Sequence, residues 1–207
     1  VVMVTTDKVY LNQEWKHGYR ETDILGGYDP YSASKAAAEI AIASWRSSFC
    51  GKLSHQKSNL NIATARAGNV IGGGDWANDR IVPDCIKALI TGELIRVRNP
   101  FSTRPWQHVL EPLSGYLRLA ECLHKLDEPI CEAFNFGPSL ESNRTVQELV
   151  ENIVSIWPGK WEKDNNNESV HEANLLHLQI DKSFHILGWS PKWKFNEVVS
   201  RSVEWYK

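Results

Sequence analysis

The chain has 207 residues, of which 42% are hydrophobic and 23% charged, and its formal net charge is −2 at pH 7. This length and apolar content suffice for one globular domain, or one and a half, and exclude a chain that is disordered as a whole. Because the basic residues are scattered and the net charge is close to zero, the composition also argues against a general nucleic-acid binder.

The four cysteines and seven histidines are dispersed along the chain. Their spacings match neither C-x-x-C nor H-E-x-x-H, so we expect no metal site. The sequence also shows no signal-peptide pattern and no run of ~18 apolar residues that would span a bilayer. We therefore expect no membrane partner and a cytoplasmic protein with reduced thiols.

The first elements along the chain predict a strand, a helix and a second strand. Residues 1–5 form an apolar, β-branched run typical of a strand buried on both faces of a parallel sheet, and residues 60–66 predict a second strand. Between them, one long helix begins near Pro30 and ends at about Phe49, just before Gly51. This arrangement is a βαβ unit.

The remaining elements continue the alternation of strands and helices. Further helices are predicted at 81–91, 110–126, 145–157, 181–187 and 196–206, strands at 94–98, 133–136 and 175–180, and a surface loop at 163–169. The predicted fold class is therefore α/β.

Proton-handling side chains are concentrated where the first strand ends and the long helix begins. Thr6, Asp7 and Lys8 follow the strand, at the sheet edge where open α/β folds bind ligands. Tyr31 and Lys35 lie four residues apart and so share one face of the helix. An ammonium beside a phenol favours the phenolate, which can accept a proton from an alcohol while hydride leaves the same carbon for a nicotinamide.

The Y-x-x-x-K spacing has a simpler interpretation, because any helix with an exposed Tyr31 and Lys35 forms a surface pair of this kind. Its position beside the strand edge that carries Asp7 favours the catalytic interpretation. By contrast, residues 72–74 are three glycines without G-x-G-x-x-G spacing, and no predicted helix follows them directly. We therefore interpret them as a turn that permits close backbone approach and not as a dinucleotide site.

Several strings occur together along the chain. They are Thr6-Asp7-Lys8, residues 26–35, residues 66–76, residues 104–109, Asn135-Phe136-Gly137-Pro138 and Leu187-Gly188-Trp189. Together they resemble the extended short-chain dehydrogenase/reductases, and specifically the CDP-glucose 4,6-dehydratases, over essentially the whole chain.

The resemblance implies the C-terminal part of a Rossmann-like, doubly wound parallel sheet together with a smaller α/β substrate-binding lobe. Residues 1–67 would belong to the NAD-binding domain and carry the catalytic groups. Residues 68–207 would form mainly the lobe that binds the CDP-sugar, with about 102–136 returning to the Rossmann domain.

The resemblance also implies a role for each candidate catalytic residue. Tyr31 would remove the proton of the sugar 4-hydroxyl, and Lys35 would tune Tyr31 and hold the nicotinamide ribose of NAD. Thr6 would hydrogen-bond the 4-oxygen, and Asp7 would protonate the leaving 6-hydroxyl. Lys8 would act either as the base at C5 or as a charge that neutralises the diphosphate or pairs with Asp7. The implied product is CDP-4-keto-6-deoxyglucose, a precursor for surface polysaccharides, with NAD recycled.

Four further positions are candidate substrate contacts by resemblance. Arg104 would hold the diphosphate through its fork of N–H donors, although a surface salt bridge is the simpler alternative. Asn69 would reach the sugar or its phosphate. Asn135 and His171 match positions near the nucleotide.

The resemblance further implies that a family member is longer than this chain. Since a βαβ unit takes ~30 residues, four preceding strands would occupy ~120 residues and give a protein of ~330. We expect the isolated chain to be inactive without these strands, and a homodimer to form through the helix at 31–49.

Two alternative functions remain. One is a CDP-sugar-binding or structural remnant that cannot turn over, and the other is a sugar-nucleotide epimerase, which needs Tyr31 and Lys35 but not Asp7 and Lys8.

Overall fold

The computed structural model describes residues 1–50, 60–125, 130–164 and 175–207. The helices are α1 (Pro30–Phe49), α2 (Ile81–Thr91), α3 (Leu110–Lys125), α4 (Val146–Ile156), α5 (Asp181–Leu187) and α6 (Phe195–Tyr206). The strands are β1 (Val2–Val4), β2 (Ala63–Ala67), β3 (Val70–Ile71), β4 (Ile95–Val97), β5 (Thr103–Pro105), β6 (Gln107–His108), β7 (Ala133–Phe136), β8 (Asn143–Thr145) and β9 (Trp161–Lys163).

The chain separates into two compact units. The first comprises residues 1–68, 110–137 and 176–191, and the second comprises residues 69–109, 138–175 and 192–207. The sequence assigned 176–191 to the substrate lobe, whereas the structure places this segment in the first unit. Leu178, Leu187 and Trp189 are buried in the cores of the first unit, so burial of these apolar side chains ties the segment to that unit.

A parallel sheet of three strands, in the order β1-β2-β7, forms the centre of the first unit. Val2 pairs with Ala63, and Arg66 pairs with Asn135. Because the three strands run in one direction, their carboxyl ends lie at a common edge. The segment that begins at Thr5 leaves β1 at this edge.

The two faces of β2 differ in chemistry because successive side chains of a strand point to opposite sides. Ala63, Ala65 and Ala67 pack in an apolar core that includes Leu119 of α3. On the other face, Arg66 bonds with α1. The helices α1 and α3 therefore cover opposite faces of the sheet, one polar and one apolar.

The second unit has its own core, in which side chains of α2, α4 and α6 pack with those of short strands. Its strands pair two by two, as β3-β6, β4-β9 and β5-β8. Leu149 and Ile153 of α4 and Val199 of α6 are completely buried in this core. Each of the two units thus buries an apolar centre.

Most predicted elements are confirmed, including α1, α2 and α5 at the predicted bounds. One strand prediction is wrong, because residues 175–180 form no strand and contribute one isolated bridge at Leu178. Within this chain β1 pairs with β2 and leaves Met3 and Val4 exposed. The predicted loop also begins too early, because Lys163 ends β9, and residues 165–169 lie outside the described residues.

Two leucines of α3 provide a matched test of the apolar face. Leu119 is fully buried, whereas Leu117 is 74% exposed on the same helix. We expect Leu119→Ala to lower the free energy of unfolding by about 2 to 5 kcal/mol, since it removes buried methyl groups and leaves a cavity. Leu117→Ala should change it by less than about 0.5 kcal/mol. Urea unfolding followed by circular dichroism measures both, and equal effects would refute the described orientation of α3.

Candidate active site

The start of α1 is fixed by a capping box that positions Tyr31 in the first turn. The Asp29 carboxylate accepts hydrogen bonds from the backbone N–H groups of Tyr31 and Ser32, at 2.9 and 3.0 Å. The Ser32 hydroxyl accepts a bond in return from the Asp29 N–H, and Pro30 occupies the first helical position. The hydrogen bonds from Ser32 hold the pKa of Asp29 below its ordinary value. This local sequence therefore determines where the helix begins.

Tyr31 and Lys35 lie side by side, as their spacing predicts. The Lys35 Nζ lies 5.9 Å from the centroid of the Tyr31 ring. Tyr31 is 52% exposed and Lys35 is half-buried. Within the described part of the chain, neither the phenol nor the ammonium has a hydrogen-bonding partner. Both groups remain open to a ligand.

Asp7 holds its carboxylate in an asymmetric environment. It begins a 3-10 turn, Asp7–Val9, that packs against α1. The Thr6 hydroxyl and the Lys8 ammonium both donate to Asp7 Oδ1 at 3.0 Å. The other oxygen, Oδ2, is buried and has no hydrogen-bonding partner in the described structure. A buried polar atom of this kind is costly unless a further group, such as a ligand or a water molecule, satisfies it.

A buried ion pair lies farther along the same face of α1. Glu39 and Arg66 are almost completely buried, with the Glu39 Oε2 to Arg66 Nη2 distance at 2.8 Å. The Glu39 carboxylate also accepts from the hydroxyls of Thr5 and Thr64, at 2.6 and 3.0 Å. Burial would raise the pKa of Glu39, but the hydrogen bond and charge of Arg66 outweigh it, so this pKa is lowered. The carboxylate is therefore held in its charged form.

The network continues from Arg66 to Asn135. The Arg66 Nη1 donates to the Tyr10 hydroxyl at 2.9 Å, and that hydroxyl donates to Asn135 Oδ1 at 2.7 Å. The Asn135 Nδ2 donates to the carbonyl oxygens of Tyr19 and Gln179. Because Asn135 is fully buried and both amide atoms have protein partners, we infer a structural role for it in place of the predicted substrate contact.

Two other predicted substrate contacts, Asn69 and Arg104, belong to the second unit. Asn69 is half-buried and lies between β2 and β3, where its carbonyl accepts from the Gln107 N–H at 3.1 Å. Arg104 is half-buried in β5, and its Nη1 donates to the Thr103 carbonyl. His171 lies outside the described residues.

The glycine turn at 72–74 makes a close approach that differs from the expected one. A Cβ atom on Gly73 would collide with the ring of Trp205 in the same unit. Gly74 has a φ of 81°, which favours glycine. The close approach is thus to a protein side chain.

The described residues contain neither a metal-type cluster nor a membrane-spanning helix. Among residues 1–50, 60–125, 130–164 and 175–207, no group of three or more His, Cys, Asp or Glu side chains is arranged to hold a metal ion. In the same ranges, no helix is both long enough and apolar enough to cross a membrane.

The fold is that of nucleotide-sugar dehydratases and epimerases with a Rossmann-type sheet. A UDP-glucuronic acid 4-epimerase from Bacillus cereus, solved as a point mutant with a fluorinated sugar nucleotide and NAD, matches with a TM-score of 0.82 at 16% identity. A dTDP-glucose 4,6-dehydratase from Bacillus anthracis in complex with NAD matches with a TM-score of 0.76 at 22% identity. Each match covers 99% of this chain and 60% of the other.

In sequence, the chain is similar to CDP-glucose 4,6-dehydratase of Salmonella typhimurium, with 44% identity over the whole chain and 58% of that protein. It is 25% identical to dTDP-D-glucose 4,6-dehydratase of Mus musculus, over the whole chain and 55% of the relative. No protein-family model matches the chain. The predicted resemblance to CDP-glucose 4,6-dehydratase is therefore confirmed, and the chain spans just over half the length of these relatives.

Sequence reasoning missed Glu39 and Arg66. A signal was present, because Glu39 is the one charged residue in the run from Ala36 to Ala43, eight residues after Tyr31 on the same helix face. Arg66 likewise ends an otherwise uncharged run from Leu60. Opposite charges in two apolar, buried-type elements indicate a buried pair.

The lowered pKa of Glu39 gives a stability that depends on pH. A carboxylate whose folded-state pKa is below its unfolded value stabilises the fold above the unfolded pKa, and that contribution is lost as the pH falls. We expect Glu39→Gln to lower the free energy of unfolding by about 3 to 5 kcal/mol at pH 7, because it leaves Arg66 buried without its partner. The deficit should shrink between about pH 5 and pH 3.

The matched control is Glu121→Gln. Glu121 forms its ion pairs with Arg118 and Lys125 on the exposed side of α3. Urea titrations at several pH values should show an effect below about 1 kcal/mol for this variant. A deficit for Glu39→Gln that does not vary with pH would show that Glu39 is not charged in the fold.

Proposed function

We propose that the protein to which this chain belongs is a CDP-glucose 4,6-dehydratase. It would convert CDP-glucose to CDP-4-keto-6-deoxyglucose and water, with no net redox change, for deoxysugar and surface-polysaccharide synthesis. The observation that carries the proposal is the buried, unpartnered Oδ2 of Asp7 at the sheet edge next to α1. The similarity to the Salmonella enzyme over the whole chain supports it.

Tyr31 and Lys35 supply the proton transfer at C4 in this proposal. The exposed Tyr31 hydroxyl would accept the proton of the sugar 4-hydroxyl as a phenolate. Lys35, whose Nζ lies 5.9 Å from the ring centroid, would stabilise that phenolate by its charge. Oxidation at C4 makes the hydrogen at C5 acidic, so a base, for which Lys8 is one alternative, would take the C5 proton as the 6-hydroxyl leaves.

In this proposal Thr6, Asp7 and Lys8 serve the loss of the 6-hydroxyl and the binding of the 4-oxygen. The Asp7 Oδ2 would carry the proton that is given to the leaving 6-hydroxyl, which then departs as water. The Thr6 hydroxyl would hydrogen-bond the 4-oxygen. Lys8 donates to Asp7 Oδ1 at 3.0 Å, which supports the pairing role among the alternatives for this lysine.

The residues present fit NAD as a cofactor. The Tyr31 phenol and the Lys35 ammonium are accessible and unbonded within the described residues, so Lys35 would hold the nicotinamide ribose. The chemistry that NAD would supply when bound is acceptance of the hydride from C4 and its return to C6. The dehydratases from Bacillus anthracis and Streptomyces venezuelae were solved with the same cofactor bound.

Arg104 and Asn69, two of the proposed substrate contacts, lie in the second unit. Arg104 would bind the diphosphate through paired N–H donors, which match phosphate oxygens in geometry. Asn69 would reach the sugar or its phosphate, and His171 remains a proposed contact near the nucleotide.

A second copy of the chain is the proposed partner, through the helix at 31–49. Ile40 and Trp45 are each more than half exposed on α1, and large apolar side chains of this kind favour association.

The proposed location is the cytoplasm. All four cysteines are free, as expected for a cytoplasmic protein.

Tyr31→Phe tests the role of the phenol in the complete protein with NAD supplied. We expect the loss of at least ~100-fold in turnover of CDP-glucose, because the general base is removed. Affinity for CDP should stay unchanged. Mass spectrometry of the sugar nucleotide, which loses the mass of one water, measures turnover, and calorimetry measures affinity.

Tyr28→Phe is the matched control, since Tyr28 is an exposed tyrosine just before the cap of α1. It should retain full turnover. An active Tyr31→Phe variant would refute the assignment. Interconversion at C4 without loss of water in the wild type would identify an epimerase, and CDP binding without any conversion would identify a remnant.

Arg104→Ala tests the diphosphate contact. We expect a loss of about 10-fold or more in affinity for CDP-glucose, since a charged hydrogen bond to phosphate contributes about 1.5 to 3 kcal/mol. Arg96→Ala is the control, because Arg96 is exposed in β4 and lies 3.8 Å from Glu162. Unchanged binding by Arg104→Ala in calorimetry would leave the arginine with a structural role.

A further inference from the structure

Glu39 is placed to connect the two groups of candidate catalytic residues. It follows Tyr31 and Lys35 at successive intervals of four residues, so the three side chains share one face of α1. Unlike the other two, Glu39 is buried, with 1% of its surface exposed. It is the buried anchor of the helix face that carries the phenol and the ammonium.

The partners of Glu39 come from two elements of the sheet. Its Oε1 accepts from Thr5 at 2.6 Å, and Thr5 directly precedes Thr6 and Asp7. Its Oε2 accepts from Thr64 and Arg66 of β2, at 3.0 and 2.8 Å. One carboxylate thus bonds the helix of the phenol to the segment of Asp7 and to the neighbouring strand.

We propose that Glu39, held by Arg66, is a positioning residue that fixes Tyr31 and Lys35 relative to Asp7. This inference deepens the proposed function and rests on it for the identity of the reacting groups. The pair touches no reacting atom. It sets the rotation and height of α1 on the sheet through bonds that are specific in direction.

Burial energy alone does not explain why a charged pair occupies this place. The α3 face of the same strands is apolar and packs in the ordinary way. Replacement of a buried ion pair by apolar side chains of similar volume is often neutral or stabilising, because desolvation of the charges is costly. What apolar contacts do not supply is a fixed direction of approach, and the bonds from Thr5, Thr64 and Arg66 provide it.

Glu39→Gln and Thr5→Val test the proposal, with Leu119→Ala as the control for lost stability. Thr5→Val removes only the bond that joins Glu39 to the segment of Asp7, and it keeps the ion pair. It therefore tests the proposal even if Glu39→Gln fails to fold. Leu119 lies on the opposite, apolar face of the sheet.

Hydrogen exchange of the chain gives a readout that does not depend on activity. We expect both Glu39→Gln and Thr5→Val to speed amide exchange at least ~10-fold in residues 5–9 and 33–40, since local contacts there are loosened. The exchange of α3 and β7 should change less. Leu119→Ala should speed amide exchange more in α3 and β7 than in residues 5–9 and 33–40.

Kinetics of the complete enzyme give the second readout. We expect Glu39→Gln to reduce kcat for CDP-glucose ~100-fold with KM nearly constant, because a displacement of about 1 Å at the reacting groups has an effect of this size. Thr5→Val should reduce kcat by a smaller factor. Leu119→Ala should keep kcat at temperatures where it remains folded.

The outcomes separate this inference from the proposed function. If exchange rises in residues 5–9 and 33–40 but the wild type does not dehydrate CDP-glucose, the positioning role stands and the proposed function fails. If the wild type is active and both variants match it in exchange and kcat, the positioning role is overturned. A kcat loss shared equally by Leu119→Ala would also overturn it, since stability alone would then explain the effect.

Discussion

The buried contact between Glu39 and Arg66 is the constraint on which the arrangement of the first unit depends. Two charges removed from water are tolerated only when each is paired and hydrogen-bonded. Here the carboxylate has three donors, and the guanidinium also reaches the hydroxyl of Tyr10. Helix α1, the ends of β1 and β2, and the segment after β1 must therefore keep one mutual position to satisfy the charges.

The two faces of the sheet make different contributions to the first unit. The α3 face is apolar, with small alanines on β2 under Leu119 and aromatic rings on β7, and burial of these side chains stabilises the unit. Gly115 allows α3 to approach the ring of Phe136, where a Cβ atom would collide. The α1 face is polar, and its hydrogen bonds fix the position of α1 on the sheet. A polar face is less efficient for stability, but it holds directional groups beside the candidate site.

The sequence predicted helices well because their signals are local. The cap at Asp29 and Pro30 fixes the start of α1, and Gly92 and Gly188 end α2 and α5 with positive φ. Strand pairing depends on distant partners, so the single isolated bridge at Leu178, in place of a strand at 175–180, was not predictable from the apolar residues there. Spacing predicted the positions of Tyr31, Lys35 and Asp7. The single charges of Glu39 and Arg66 in apolar runs indicated burial, but their bond to each other, 27 residues apart, was visible only in the fold.

The two oxygens of Asp7 show how the local structure selects a chemical role. Both available donors, the Thr6 hydroxyl and the Lys8 ammonium, bind Oδ1. Oδ2 is left buried beside the helix that carries Tyr31 and Lys35. A lysine that donates to Asp7 as an ammonium has no free electron pair, so it would have to lose a proton before it could act as a base at C5. The geometry therefore favours Lys8 as the group that orients Asp7, and in the proposed function Oδ2 is the atom that would exchange a proton with the substrate.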